Sequence, residues 1–231
     1  MKPGLLTGDR SWFLVARWAM VNLLGLAFAF LAWKAGWAAI VIASDTLYIS
    51  RFIAVLFVVG LIVSLWRALQ VSRELNIVRS FMEKLASDHE QAFAWLSGTR
   101  SRVALLVADY AQALPEDRAT VVNIINETIG VKTIFVPFVA ASLTMLGLLG
   151  TVVGAKIAFG VIDPQLITDV AKSVPMIGRI VSGLAIAIDT TIVGSIGWFW
   201  IVWVNYPVRN SSAQLATEIK RAGVYYVRHL R

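Results

Sequence analysis

The chain has no cysteine and only two histidines among its 231 residues. Without cysteine, it can form neither a disulfide nor a thiolate nucleophile. His89 and His229 are far apart in the sequence, and neither belongs to an H-E-x-x-H motif or another cluster of metal ligands. A nucleophile-elbow motif is also missing from the sequence. These absences argue against an enzyme, and we expect no bound cofactor or metal.

Charged residues are scarce as well. They make up 15% of the chain, and 58% of the residues are hydrophobic, whereas about 25% of the residues in a soluble domain are charged. The net charge is +7, but no basic patch interleaved with aromatic residues accompanies it, so we expect no nucleic-acid partner. In a membrane protein, basic residues mark the cytoplasmic loops.

The sequence instead contains four long apolar runs. Each is long enough to cross a hydrocarbon core of about 30 Å as a helix. The first run is too long for the apolar region of a signal peptide and contains Arg17. We therefore predict an all-α, polytopic membrane protein with four transmembrane helices, at Ser11–Trp33, Leu47–Leu69, Ile134–Ile162 and Ile180–Tyr206.

Basic residues concentrate before the first run, after the second run and after the fourth. By the positive-inside rule, this distribution places both termini and the long middle segment in the cytoplasm. The predicted organisation has four segments. They are an N-terminal transmembrane hairpin (1–70) with a short outer loop near 36–45, a cytoplasmic helical segment (71–132), a channel-forming transmembrane pair (133–206) and a cytoplasmic tail (207–231).

The cytoplasmic segment is predicted to consist of long helices. Apolar residues recur at helical spacing from Leu69 to Leu85, so the second span should continue inward as one helix. A break is expected at Gly98, followed by a helix over 103–114. Pro115 then begins a helix that we expect to run into the third span. Either water or a partner protein could cover this helical bundle, and the sequence leaves both open.

The stretch LGLLGTVVGAK superficially resembles a phosphate-binding loop. Such a loop needs a lysine directly after its last glycine and then a serine or threonine. Here Ala155 follows Gly154, and Ile157 follows Lys156. The flanking residues are apolar on both sides. The stretch is therefore predicted to lie inside a membrane helix.

Small and polar residues share one face on each of the last two spans. On the third span this face includes Thr144 and Thr151, and on the fourth it includes Ala187 and Thr191. At 1.5 Å per residue, the hydroxyls of Thr151 and Thr191 lie at similar depths, within about 3 to 6 Å of the midplane. Together they could line a narrow polar path. Close helix packing is the alternative for the glycines of these faces, Gly147, Gly150, Gly154 and Gly194.

Asp189 is an acid well inside the fourth span, where a charge costs about 2.5 to 3.5 kcal/mol. It should therefore face protein or water and have a partner. Three alternatives remain open. Asp189 could form a salt bridge with Lys156, it could relay protons, or Lys156 could extend to the outer interface.

With these residues in place, the chain resembles the MotA/TolQ/ExbB proton-channel family. LGLLGTVVG followed by Ala158 and Phe159 is similar to the family's GLLGTVxG…AF signature. The stretch AIDTTIVG followed by Asn205 is similar to its ALxATAxG…N pattern. Thr151 and Thr191 match the two threonines of these motifs.

The resemblance implies a function. Family members form homopentamers in the bacterial inner membrane around a dimer of a single-span partner of the MotB/TolR/ExbD kind, which carries one membrane aspartate. Protons pass along that aspartate and the two threonines, and their flow drives mechanical work such as rotation or protein transport. The implied ion pathway is Thr151 and Thr191, with Thr144, Asp189 and Thr190 as further candidates.

This chain departs from the family pattern at three positions. Thr144 stands where the family often has a proline, Trp200 lies near a missing proline of the fourth span, and Asp189 occupies an apolar position. The branch of the family, H⁺ or Na⁺ as the ion, and the load that is moved stay open. Two other functions also remain: a stand-alone ion channel or transporter that uses Asp189, and a structural membrane scaffold.

Overall fold

A computed structural model describes residues 10–45, 48–87, 89–99, 101–131, 134–162 and 170–229. It is 92% helix and contains no strand in the described residues, which confirms the prediction of an all-α protein. Eight helices follow one another along this part of the chain: α1 (Arg10–Lys34), α2 (Trp37–Ser44), α3 (Ile49–Ser87), α4 (His89–Gly98), α5 (Arg102–Gln112), α6 (Arg118–Val131), α7 (Phe135–Phe159) and α8 (Val170–His229).

Four of these helices, α1, α3, α7 and α8, are long and apolar enough to cross a membrane. Their candidate spans confirm the predicted number, and large apolar side chains on their surfaces face outward. Leu24 on α1 and Met145 on α7 are both 68% exposed. Apolar surface on this scale is typical of a protein that contacts lipid or other protein chains. The chain is therefore a membrane protein by the character of its helices.

The described chain divides into two compact units. The first unit comprises Met1–Met20, Ser64–Phe135 and Asn205–Arg231. Its core is formed by residues at helical spacing on α3, among them Leu75, Val78 and Phe81, packed with residues of α4, α5, α6 and α8. Phe81 is completely buried.

Ser101 begins α5 in this first unit. Its hydroxyl accepts a hydrogen bond from the Val103 amide at 3.1 Å, and it donates to the carboxylate of Glu74 on α3 at 2.6 Å. A serine that caps the first free amides is a common start signal for a helix. The cap therefore fixes the start of α5 and ties it to α3.

The second unit comprises Val21–Val63 and Val136–Val204. In its core, Ile53 of α3 and Ile201 of α8 pack against Val136, Val139 and other buried residues of α7. Gly60 allows α3 to approach closely, since a Cβ there would stand 2.6 Å from Cδ1 of Ile201 and 2.9 Å from Cγ1 of Val139. Residues of α3, α7 and α8 therefore share one core in the second unit.

Two polar contacts secure α1 and the start of α3 in the second unit. The indole N–H of Trp200 donates to Oδ1 of Asn22 on α1 at 3.4 Å. Asp45 caps α3, because its buried carboxylate accepts from the amides of Ser50 and Arg51, each at 3.2 Å. A carboxylate there also complements the positive end of the helix dipole.

The structure differs from the sequence prediction in three places. The expected outer loop at 36–45 contains the short helix α2, and the connection expected before residue 180 is already helical from Val170. The prediction that one helix runs from Pro115 into the third span is wrong, because α6 ends at Val131 and α7 begins at Phe135. Pro137 stands in the first turn of α7, where proline is tolerated because an amide there has no partner within the helix. Residues 132 and 133 lie outside the described residues.

Candidate functional site

The facing sides of α7 and α8 form a seam of glycines within the second unit. Main-chain atoms meet directly along it. A Cβ on Gly154 would stand 2.6 Å from the amide nitrogen of Ala187, and one on Gly194 would stand 2.7 Å from the carbonyl oxygen of Leu143. A Cβ on Gly147 would stand 3.1 Å from the carbonyl oxygen of Thr190. The two backbones approach this closely only because these positions have no side chain.

Two threonine hydroxyls meet at the edge of this seam. The Oγ1 atoms of Thr151 on α7 and Thr191 on α8 are hydrogen-bonded to each other. Thr191 is exposed and Thr151 is half-buried, so the pair lies at the surface of the seam rather than beneath it. The two residues that match the family's threonines are thus in direct contact.

Two backbone carbonyls complete a cluster of four oxygens around this pair. The hydroxyl of Thr151 donates to the carbonyl of Gly147 at 3.1 Å or to that of Ala187 at 3.2 Å. The hydroxyl of Thr191 donates to Ala187 at 3.1 Å, and Gly147 lies at the limit of a hydrogen bond, 3.5 Å away. Hydroxyls both donate and accept, so the cluster can offer either a proton or a lone pair to a polar group that reaches it.

Thr190 lies on the buried side of the same cluster. It is 1% exposed, and its hydroxyl donates to the carbonyl of Ile186 at 2.9 Å or to that of Ala187 at 3.2 Å. Its side chain fills the space beside Gly150, where a Cβ would stand 2.5 Å from the Cβ of Thr190. Thr151, Thr190 and Thr191, three of the candidate ion-pathway residues, therefore lie close together.

Thr144 is not close to them. It is exposed on α7, and it precedes Thr151 by seven residues, which is about 10 Å along the helix. That distance is well beyond hydrogen-bond reach, so Thr144 is not part of the hydroxyl cluster.

Asp189 and Lys156 both lie away from the seam. Asp189 is half-buried and precedes Val193 by four residues and Trp200 by eleven, which places all three on one side of α8. Trp200 packs against Phe57 of α3 and bonds to Asn22 of α1, so this side of α8 faces those two helices. Lys156 is exposed, about 200° around α7 from Gly154. A salt bridge between Asp189 and Lys156 stays a hypothesis.

Gly183 is a seam residue that the sequence reasoning missed. A Cβ there would stand 2.5 Å from the amide nitrogen of Ala158. The available signal was its spacing, because Gly183 and Ala187 form a pair of small residues four positions apart. The carbonyl of Ala187 was also missed, since backbone acceptors leave no mark in a sequence.

In the part of the chain that the structure describes, no group of three or more His, Asp or Glu side chains is placed to hold a metal ion. The polar atoms that meet in the seam are hydroxyl and carbonyl oxygens. Comparison of the chain with family models, curated proteins and solved structures finds no match.

Proposed function

We propose that this chain is the proton-conducting subunit of a motor complex in the bacterial inner membrane, driven by the proton motive force. The observation that carries the proposal is the hydroxyl pair of Thr151 and Thr191, joined at the edge of a glycine seam between two apolar helices. The resemblance of both motifs to the MotA/TolQ/ExbB family supports the same function.

The motor needs a carboxylate that this site does not supply. Asp189 lies on the side of α8 that faces α1 and α3, not beside the hydroxyl pair. The carboxylate would come from a single-span partner of the MotB/TolR/ExbD kind, two copies of which bind a homopentamer of this chain. The threonine hydroxyls would donate to the partner's carboxylate when it is charged and accept from it when it is protonated.

The charge distribution supports an orientation with both termini in the cytoplasm. In that orientation, the helical core with residues such as Phe81 and Ile219 would be exposed to the cytoplasm. The flow of ions would drive rotation, protein transport or other mechanical work on the cell envelope. The work done and the partner would define the branch of the family.

The first experiment measures the mass of the detergent-solubilised complex, expressed with and without a candidate single-span protein of the MotB/TolR/ExbD kind. A stable oligomer that holds two copies of that protein supports the motor. An oligomer that captures nothing and conducts ions by itself in liposomes would instead favour a stand-alone channel that uses Asp189.

The second experiment tests the hydroxyl pair itself. Proton flux into liposomes that contain the complex is followed with a pH-sensitive dye, for Thr151→Val, Thr191→Val and the corresponding serine variants. We expect each valine variant to lose at least about tenfold in flux, because a hydrogen bond to a charged group is worth about 1.5 to 3 kcal/mol. Serine should retain most of the flux.

Ser142→Ala is the matched control. Ser142 is also on α7, and its hydroxyl donates to its own helix, at the carbonyl of Phe138, 2.9 Å away. This variant should conduct like the wild type. Full flux in both valine variants, with the oligomer intact, would remove Thr151 and Thr191 from the ion path.

A further inference from the structure

Three threonine hydroxyls converge on one backbone carbonyl in this site. The Oγ1 atoms of Thr151, Thr190 and Thr191 lie 3.2, 3.2 and 3.1 Å from the carbonyl oxygen of Ala187. In a regular helix, the same oxygen also accepts the amide of the residue four positions later, here Thr191.

The Ala187 carbonyl cannot accept all of these donors. A carbonyl oxygen has two lone pairs. One is taken by the helical amide, so one remains for three hydroxyl protons. At least two of the three hydroxyls must direct their protons elsewhere at any moment.

The three hydroxyls have unequal alternatives. Thr190 has a shorter bond to Ile186, at 2.9 Å, and Thr151 has a slightly shorter one to Gly147, at 3.1 Å. For Thr191, the only other backbone acceptor is the Gly147 carbonyl at 3.5 Å. The Oγ1 atom of Thr151 is a further acceptor for Thr191, but not while Thr151 itself donates to Thr191. In that arrangement Thr191, which is also the exposed hydroxyl, depends most on the Ala187 carbonyl.

We propose that Thr190 is a positioning residue that controls the direction of the Thr191 proton. When the Thr190 hydroxyl donates to Ala187 and the Thr151 hydroxyl donates to Thr191, Thr191 loses both near acceptors and its proton becomes available to a polar group at the open edge of the seam. When Thr190 donates to Ile186, the Thr191 proton returns to Ala187. The identity of the outer acceptor, a carboxylate of the single-span partner, rests on the proposed function; the competition for the carbonyl does not.

The competition can be measured in the chain alone, by solid-state NMR in lipid bilayers. Labelling alanine with ¹³C at the carbonyl and isoleucine with ¹⁵N selects Ala–Ile pairs, which occur at 39–40, 185–186 and 187–188. A carbonyl that loses a hydrogen bond shifts upfield. All variants are compared in a Thr151→Val background, because the Thr151 hydroxyl also reaches Ala187. We expect the Ala187 signal to stay in place in Thr191→Val, because Thr190 takes over, and to move upfield in the double variant Thr190→Val/Thr191→Val.

Two results would overturn the competition. If Thr191→Val alone moves the signal as far as the double variant does, Thr190 does not donate to Ala187. If the double variant leaves the signal in place, neither hydroxyl does. Valine has nearly the shape of threonine, so Thr190→Val preserves the packing of this side chain beside Gly150.

The consequence for ion transfer is measured as the pH dependence of proton flux through the complex. In Thr190→Val, the Thr191 proton stays on Ala187, so a docked carboxylate loses a donor that stabilises its charged form. The pH of half-maximal flux should therefore rise by at least about half a unit. Thr190→Ser keeps the hydroxyl and should restore the wild-type profile.

An unmoved profile in Thr190→Val would overturn the positioning role. A serine variant that shifts as the valine variant does would also overturn it, since the shift would then not depend on the hydroxyl. If the wild-type complex carries no proton flux at all, the proposed function fails, and the NMR experiment still decides whether Thr190 and Thr191 compete.

Discussion

The indole of Trp200 on α8 lies against the backbone of Gly25 on α1, where a Cβ would stand 2.7 Å from the ring atom Cδ2. Phe57 of α3 packs edge-on to the same indole, with the ring centroids 5.2 Å apart. One side chain of α8 therefore contacts two other apolar helices, and the absence of a side chain at residue 25 makes the contact possible.

Gly25→Ala should lower the stability of the chain by about 1 to 3 kcal/mol, the usual effect of overpacking. The added methyl group must displace the indole, which also holds Asn22. The measurement is the midpoint of thermal unfolding in detergent. Gly178→Ala is the control, because a Cβ there meets nothing within 4 Å; an equal loss in both variants would contradict the prediction.

Gly154→Ala should be more damaging than Gly25→Ala. At residue 154 the new methyl group meets the backbone of Ala187 and Gly183. Backbone atoms cannot move away by changing rotamer, as a side chain can. We expect α7 and α8 to separate and the Thr151–Thr191 hydrogen bond to break. Unfolding midpoints of the two variants, measured side by side, test the order, and a milder effect at residue 154 would argue against a seam of main-chain atoms.

Asp45→Ala should destabilise the start of α3 by about 1 kcal/mol, the typical value of a side chain that caps a helix. Two amides would lose their acceptor, and Arg51 would lose a carboxylate 4.0 Å away. Asp45→Asn keeps an acceptor oxygen and should lose less. Hydrogen exchange at the amides of Ser50 and Arg51 reports the change, and equal protection in both variants would contradict it.

Ser101→Ala should destabilise the first unit by about 0.5 to 2 kcal/mol. The change removes the cap of α5 and leaves the Glu74 carboxylate without the hydroxyl that now donates to it. Ser87→Ala is the matched control, since the Ser87 hydroxyl donates only to the preceding turn, at Lys84, in an exposed position. Limited proteolysis near α5 should accelerate in the first variant and not in the second.

The parts of the structure that the sequence predicted are those controlled by local patterns. The continuation of α3 as far as Ser87 follows from apolar residues at helical spacing. The break predicted at Gly98 coincides with the end of α4. Apolar runs of at least 20 residues likewise predicted the four long helices.

The parts that sequence reasoning missed depend on contacts between distant residues. Trp200 and Gly25 are 175 positions apart, and neither residue type by itself indicates the other. The depth of Thr151 and Thr191 could be estimated from the rise of a helix, but their contact also depends on the rotation of α7 against α8. Gly183 is one of the close contacts between these helices, and its small size matters only once its neighbour Ala158 is known.

The glycine seam has a mechanical consequence. Side-chain contacts yield gradually, because side chains can change rotamer, but main-chain atoms have no rotamers. The contacts at Gly147, Gly154 and Gly194 therefore have very low compliance. A force on either helix would therefore move the facing parts of α7 and α8 together as one rigid body. The hydroxyls of Thr151 and Thr191 would keep their spacing during that movement.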